Sequence, residues 1–177
     1  MICRRAINKK DYIHIIMLAY NREPIFVENI GLLKEAFKNT SEHYEFEIVA
    51  LCVLPTHIHL IISPNDTKDC PKIVKAIQYY FTKEYDDGEE EVASYGYPHK
   101  KEKLVFQKRH YEHTLVGEDE LNRHIDYIHY NPVKHELVAN VKDWEYSSFN
   151  KFVKKGFYPE DWGTEEDIES ISDLNFE

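Results

Sequence analysis

Residues 53–62, VLPTHIHLII, constrain this chain more than any other stretch. In an extended strand successive side chains alternate faces, so His57 and His59 point one way while Ile58, Leu60 and Ile62 point the other. Two imidazoles on one sheet face can share a single metal ion. The same spacing also describes a pair of hydrogen-bonded core histidines, and by itself it names neither a metal nor a reaction.

The surrounding pattern places that strand in a sheet. Residues 12–20 (YIHIIMLAY) are rich in β-branched and aromatic side chains and predict a buried strand, closed by the polar turn 21–24. Val27, Ile30, Leu33 and Phe37 recur at helical spacing and predict a helix over 27–37. Residues 44–54 predict a second strand, joined to the histidine strand 57–63 through the short break at Pro55-Thr56 as an antiparallel hairpin. Ile73, Val74, Ile77, Tyr80, Phe81 and Tyr85 predict a helix over 70–85. Residues 86–103, with Gly88, Gly96 and Pro98, read as a mobile loop, and 104–115 as the last strand or two. A further helix starts at the acids Glu118, Asp119 and Glu120, carries the stripe Leu121, Ile125 and Ile128, and should end or kink at Pro132. Strand, helix, strand, strand, helix, strand is the ferredoxin-like order, so the expected fold class is α+β: an antiparallel sheet with helices on one face, plus a C-terminal helix.

At 177 residues the chain fits one domain over 1–140, an aromatic and lysine-bearing appendage over 141–163, and an acidic tail over 164–177. The appendage reads foremost as packing onto the domain, with single-strand binding as the alternative. The net charge of −10 argues against a nucleic-acid partner until its distribution is considered. Residues 84–91 and 164–177 each hold six acids and no base, and without those twelve charges the remainder is +2. Both blocks are expected to be solvated. Cys3, Cys52 and Cys70 form no CxxC pair, and no apolar run is long enough to span a bilayer, so the expectation is a cytoplasmic protein without a membrane partner.

On the C-terminal helix Tyr127 lies off the apolar stripe, three residues after His124 and four before Asn131. Taken alone, Tyr127 suits a packed tyrosine better than a catalyst. In combination, the motifs resemble a known family. Residues 54–60 (LPTHIHL) are similar to the signature of the single-tyrosine transposases of the HUH nuclease superfamily. Residues 126–135 (DYIHYNPVKH) and 144–149 (WEYSSF) resemble its REP-associated tyrosine transposase branch, and Gln107-Lys108-Arg109, Glu112-His113 and residues 22–26 (REPIF) fit between and before them.

The resemblance implies that His57, His59 and Asn131 hold a divalent cation, Mg or Mn, and that Tyr127 is the nucleophile. It implies a hairpin-forming single-stranded DNA substrate, cut to leave a 5'-phosphotyrosine and rejoined without ATP, by a monomer or a homodimer. Arg109, Arg123, Lys134, Lys151 and Lys154 are the candidate DNA contacts. The chain departs from the family pattern at Glu136, where glycine is usual, at Val116-Gly117, where a basic residue is expected, and in its two acidic blocks. Two rivals remain: a non-catalytic DNA-hairpin-binding regulator, and a nucleotide phosphodiesterase that needs no Tyr127.

Overall fold

The computed structural model describes residues 11–85 and 104–176. The loop expected over 86–103, most of the first acidic block and Cys3 lie outside them. The elements are β1 (Tyr12–Leu18), α1 (Ile30–Ser41), β2 (Phe46–Val53), β3 (His57–Pro64), α2 (Cys70–Glu84), β4 (Tyr111–Leu115) and α3 (Gly117–Lys134), followed by the short helices α4 (Phe149–Lys154) and α5 (Glu165–Ile168). The sheet order is β2-β3-β1-β4 and every neighbouring pair is antiparallel, the ferredoxin-like topology.

Alternation divides the sheet cleanly. Ile13, Ile15 and Met17 of β1 and Ile58, Leu60 and Ile62 of β3 join Leu33 and Ala36 of α1 and Ile73, Ile77 and Phe81 of α2 in one core. Ala50, Cys52 and Ile61 on the opposite face meet Leu121, Ile125 and Ile128 of α3. Helices thus cover both faces, α1 and α2 on one and α3 on the other, which is why all eight residues of β3 are buried. No helix among the described residues is long and apolar enough to cross a membrane.

Several elements differ from expectation. β1 ends at Leu18 because the chain turns sharply through Asn21 and Arg22, at φ 52° and 58°. α1 starts at Ile30 rather than 27: Phe26 is first tied to the hairpin turn, its N–H donating to the Pro55 carbonyl at 3.1 Å. α3 runs through Pro132 to Lys134. A proline this near the C-terminus forfeits one helical hydrogen bond without ending the helix, and Leu137 and Glu136 N–H groups close the end by donating to the Pro132 and Val133 carbonyls, both at 2.9 Å. That is a Schellman closure with Glu136 in the left-handed position at φ 56°.

The segment after α3 packs onto the domain. Residues 144–147 run along the open edge of β2: the Val53 N–H donates to the Tyr146 carbonyl at 2.8 Å, and Trp144 Nε1 to the Val53 carbonyl at 3.0 Å. This covers a strand edge that would otherwise offer unpaired backbone groups. Phe149, Phe152, Tyr158 and Trp162 fill the same core as α3. The acidic tail is not the solvated segment expected of its charge. Ile171 is buried in that core, and Leu174 and Phe176 pack against it.

Candidate active site

The face of the sheet under α3 carries the polar residues. Cross-strand partners share a face, and the register pairs Leu18 with His57, Ile16 with His59 and Tyr111, and His14 with Ile61 and His113. Four histidines are therefore set on one surface by strand register alone. His57 and His59 are buried, their ring centroids 5.0 Å apart, and His57 Nδ1 lies 2.9 Å from Thr56 Oγ1. His59 Nδ1 faces His14 Nε2 at 3.4 Å, and His14 Nδ1 in turn meets His124 Nδ1 at 2.9 Å. His135, just past α3, packs edge-on against His57 at 5.0 Å.

α3 brings Tyr127 and Asn131 to this surface. They stand one turn apart in unbroken helix, so the register that Pro132 threatened is realised. What looks like a polar helix face in sequence is buried: Tyr127 is 2% exposed and Asn131 0%. The Tyr127 ring lies 5.7 Å from that of His59. Asn131 Nδ2 donates to the Tyr127 carbonyl at 2.9 Å, while its Oδ1 is buried with no hydrogen-bond partner among the described residues. A buried amide oxygen left this way is costly unless something else engages it. Two imidazoles and an amide oxygen are an appropriate donor set for a divalent cation that keeps open positions, and the orphaned Oδ1 fits such an ion.

The Tyr127 hydroxyl has its own partner. Lys134 Nζ donates to it at 2.9 Å, sits 4.8 Å from the ring centroid and also reaches Asn175 Oδ1 at 3.3 Å. The tail then closes over the group. The Phe176 ring lies 5.1 Å from Tyr127, 4.8 Å from His124 and 5.3 Å from Tyr111, and its N–H approaches the Tyr127 hydroxyl at 3.5 Å. Arg123 anchors this cover, its Nε donating to the Ser170 carbonyl at 2.8 Å and its guanidinium to Asp173.

Burial sets the protonation of the histidines. It holds His14 well below the usual imidazole range, reinforced by His59, His124 and His113, and it pushes His124 down to about 4 against the pull of Glu120. At neutral pH both are neutral imidazoles.

Of the sequence candidates, His57, His59, Asn131, Tyr127 and Lys134 converge. Arg123 lies at the tail anchor, whereas Arg109, Lys151 and Lys154 are exposed elsewhere: Arg109 just before β4, the two lysines on α4. His14 and Phe176 were not singled out from sequence. His14 had a signal, the alternation that sets Ile13, Ile15 and Met17 on one face and leaves it on the other, whereas nothing in the acidic tail marks Phe176.

Residues 8–131 match the family described as Transposase IS200 like. The chain is 37% identical over 166 residues to a Haemophilus influenzae protein whose name places it among the REP-associated tyrosine transposases, covering 92% of this chain and 93% of that one. It is 31% identical over 148 residues to the Escherichia coli K12 REP-associated tyrosine transposase, covering 83% and 81%. A solved REP-associated tyrosine transposase bound to a REP hairpin superposes with a TM-score of 0.75 at 28% identity, over 97% of this chain and 93% of that one.

Proposed function

The chain belongs to the Transposase IS200 like family, and on that premise we propose that it is a metal-dependent endonuclease and strand transferase acting on hairpin-forming single-stranded DNA. Tyr127 is the nucleophile, and His57, His59 and Asn131 hold the cation. The observation that carries this reading is the buried meeting of Tyr127 with His59 of the histidine pair, one helical turn from an amide oxygen that has no hydrogen-bond partner among the described residues. The DNA hairpin is taken from the solved relative, which is described as bound to one.

In the first step the Tyr127 oxygen gives up its proton to water and attacks the scissile phosphorus, the phosphorus to 3'-oxygen bond breaks, and the leaving oxygen takes a proton from water so that the strand departs with a 3'-hydroxyl. A phenol is only about 0.1% ionised at neutral pH, so the oxygen needs support as its O–H bond is lost. The Lys134 ammonium at 2.9 Å supplies it, stabilising the charge that gathers on that oxygen. Asn131, tied to the Tyr127 carbonyl, keeps nucleophile and cation site in one rigid turn. A bound divalent ion would polarise the phosphate and neutralise developing charge on the leaving oxygen. Because the phosphotyrosine keeps the phosphodiester's energy, attack by a 3'-hydroxyl reverses the step and joins strands without ATP.

The test is incubation of labelled single-stranded hairpin oligonucleotides with the full chain and Mn2+ or Mg2+, followed by denaturing electrophoresis. A protein-DNA adduct is expected, abolished by chelator and by Tyr127→Phe. One observation favours the regulator reading, the Phe176 cover over Tyr127. Hairpin binding with no adduct from the wild type or from a chain lacking residues 173–177 is that reading's signature. Cleavage that persists in Tyr127→Phe points to the phosphodiesterase instead.

A further inference from the structure

We propose that His113, Glu120 and His124 form a second divalent-cation site, of zinc type, at the junction of β4 and α3. The inference does not rest on the cleavage reading, since it uses none of the three ligands assigned to the catalytic ion.

One ligand atom from each residue lies within 4.8 Å of the other two. His113 Nε2 is hydrogen-bonded to Glu120 Oε1 at 2.8 Å, and the pair need open by only about 0.6 Å to stand as neighbouring ligands of a tetrahedral ion with bonds of about 2.0–2.2 Å. Glu120 and His124 are one turn apart on α3, and His113 comes from the adjacent strand, so three ligands from two elements converge. Two imidazoles with one carboxylate are a common zinc donor set that leaves a fourth position for water.

Two of the three ligands are also oriented from behind. Ligating histidines engage their second ring nitrogen with a further polar group, and ligating carboxylates are themselves hydrogen-bonded. His124 engages His14 through Nδ1, which leaves its other nitrogen for an ion. Glu120 Oε2 accepts the Val116 N–H, and together with His113 that bond holds its carboxyl below the usual range. The stacked rings of His113 and His124, 5.7 Å apart at 19°, present their edges in parallel. His124 is buried while His113 and Glu120 are half-exposed, so an ion has a route in from solvent. His14 bridges this cluster to His59, which places the second site one residue away from the catalytic set.

The full chain is stripped with chelator, dialysed against Zn2+, and the zinc retained per chain is counted for the wild type, Glu120→Gln, His113→Gln and the double variant His57→Ala/His59→Ala. Circular dichroism checks that each is folded. The same proteins are titrated with Co2+, whose visible absorption reports tetrahedral coordination. The proposal expects one zinc equivalent, with its Co2+ bands, to survive in the His57/His59 variant and to be lost in Glu120→Gln and His113→Gln. It is overturned if zinc binding and Co2+ bands are unchanged in Glu120→Gln and His113→Gln, or if all zinc disappears with His57 and His59. Either of those results leaves the catalytic assignment standing, because DNA cleavage is read separately.

Discussion

Replacing Lys134 by methionine separates two roles for this residue. Sequence suggests a DNA-phosphate contact, whereas the structure sets its ammonium 2.9 Å from the Tyr127 hydroxyl. Methionine keeps most of the apolar stem and removes the charge. A charge-assisted hydrogen bond contributes about 1.5–3 kcal/mol. Lys134 is an exposed residue whose bond to the buried Tyr127 hydroxyl is partly open to solvent, so the lower part of that range applies, about 1.5–2 kcal/mol. That bond strengthens as the phenol oxygen gains charge, and the loss therefore falls on the chemical step, roughly 10- to 30-fold in rate. The assay is single-turnover adduct formation at saturating hairpin DNA, with binding measured in parallel by fluorescence anisotropy across a salt series. Lys134→Met should form adduct 10- to 30-fold more slowly while its affinity and salt slope stay close to wild type, and Lys134→Arg should recover much of the rate. An unchanged adduct rate, with affinity weakened and the salt slope reduced by about one, would refute the reasoning and return Lys134 to the phosphate backbone.

Three other outcomes follow from the same structure. Phe176→Ala removes a half-buried ring from over Tyr127, an interaction of about 1 kcal/mol, so adduct formation should quicken roughly fivefold in single-turnover assays; an unchanged rate means the cover does not limit access. Glu136→Gly relieves a left-handed residue at the end of α3, φ 56°, and should stabilise the fold by about 1 kcal/mol, seen as a melting temperature about 2–4 °C higher. His14 and His124 are held neutral in the fold, His124 at about 4 against an ordinary value of 6.5. The unfolded chain binds more protons between those limits, so their contribution is full above about pH 6.5 and is lost as pH falls toward 4. Denaturant midpoints measured in chelator should decline over that window, and less steeply in His124→Gln.

Much of the fold was legible because local pattern and topology agree. Alternation in 12–18 and 57–63, the tight break at Pro55-Thr56 and two helical stripes suffice for the βαββαβ order. The candidate pair Tyr127 and Asn131 was legible through spacing, but the burial of that polar face was not, because α3 packs on a sheet surface whose own histidines come from three strands. His14 and His113 meet His124 only through strand register, which acts across a hundred residues of chain. Pro132 misled through its local preference: near the end of a helix, closure by Glu136 and Leu137 outweighs one missing hydrogen bond. The tail misled through composition, since Glu169 and Asp173 are exposed while Ile168, Ile171, Leu174 and Phe176 around them dock.

Peptide mapping of the protein-DNA adduct formed with Mn2+ and a single-stranded hairpin tests whether Tyr127 is the nucleophile. One modified peptide is expected, carrying a 5'-phosphodeoxynucleotide on Tyr127 and absent from Tyr127→Phe. An adduct on any other residue, or cleavage with no adduct at all, would contradict it.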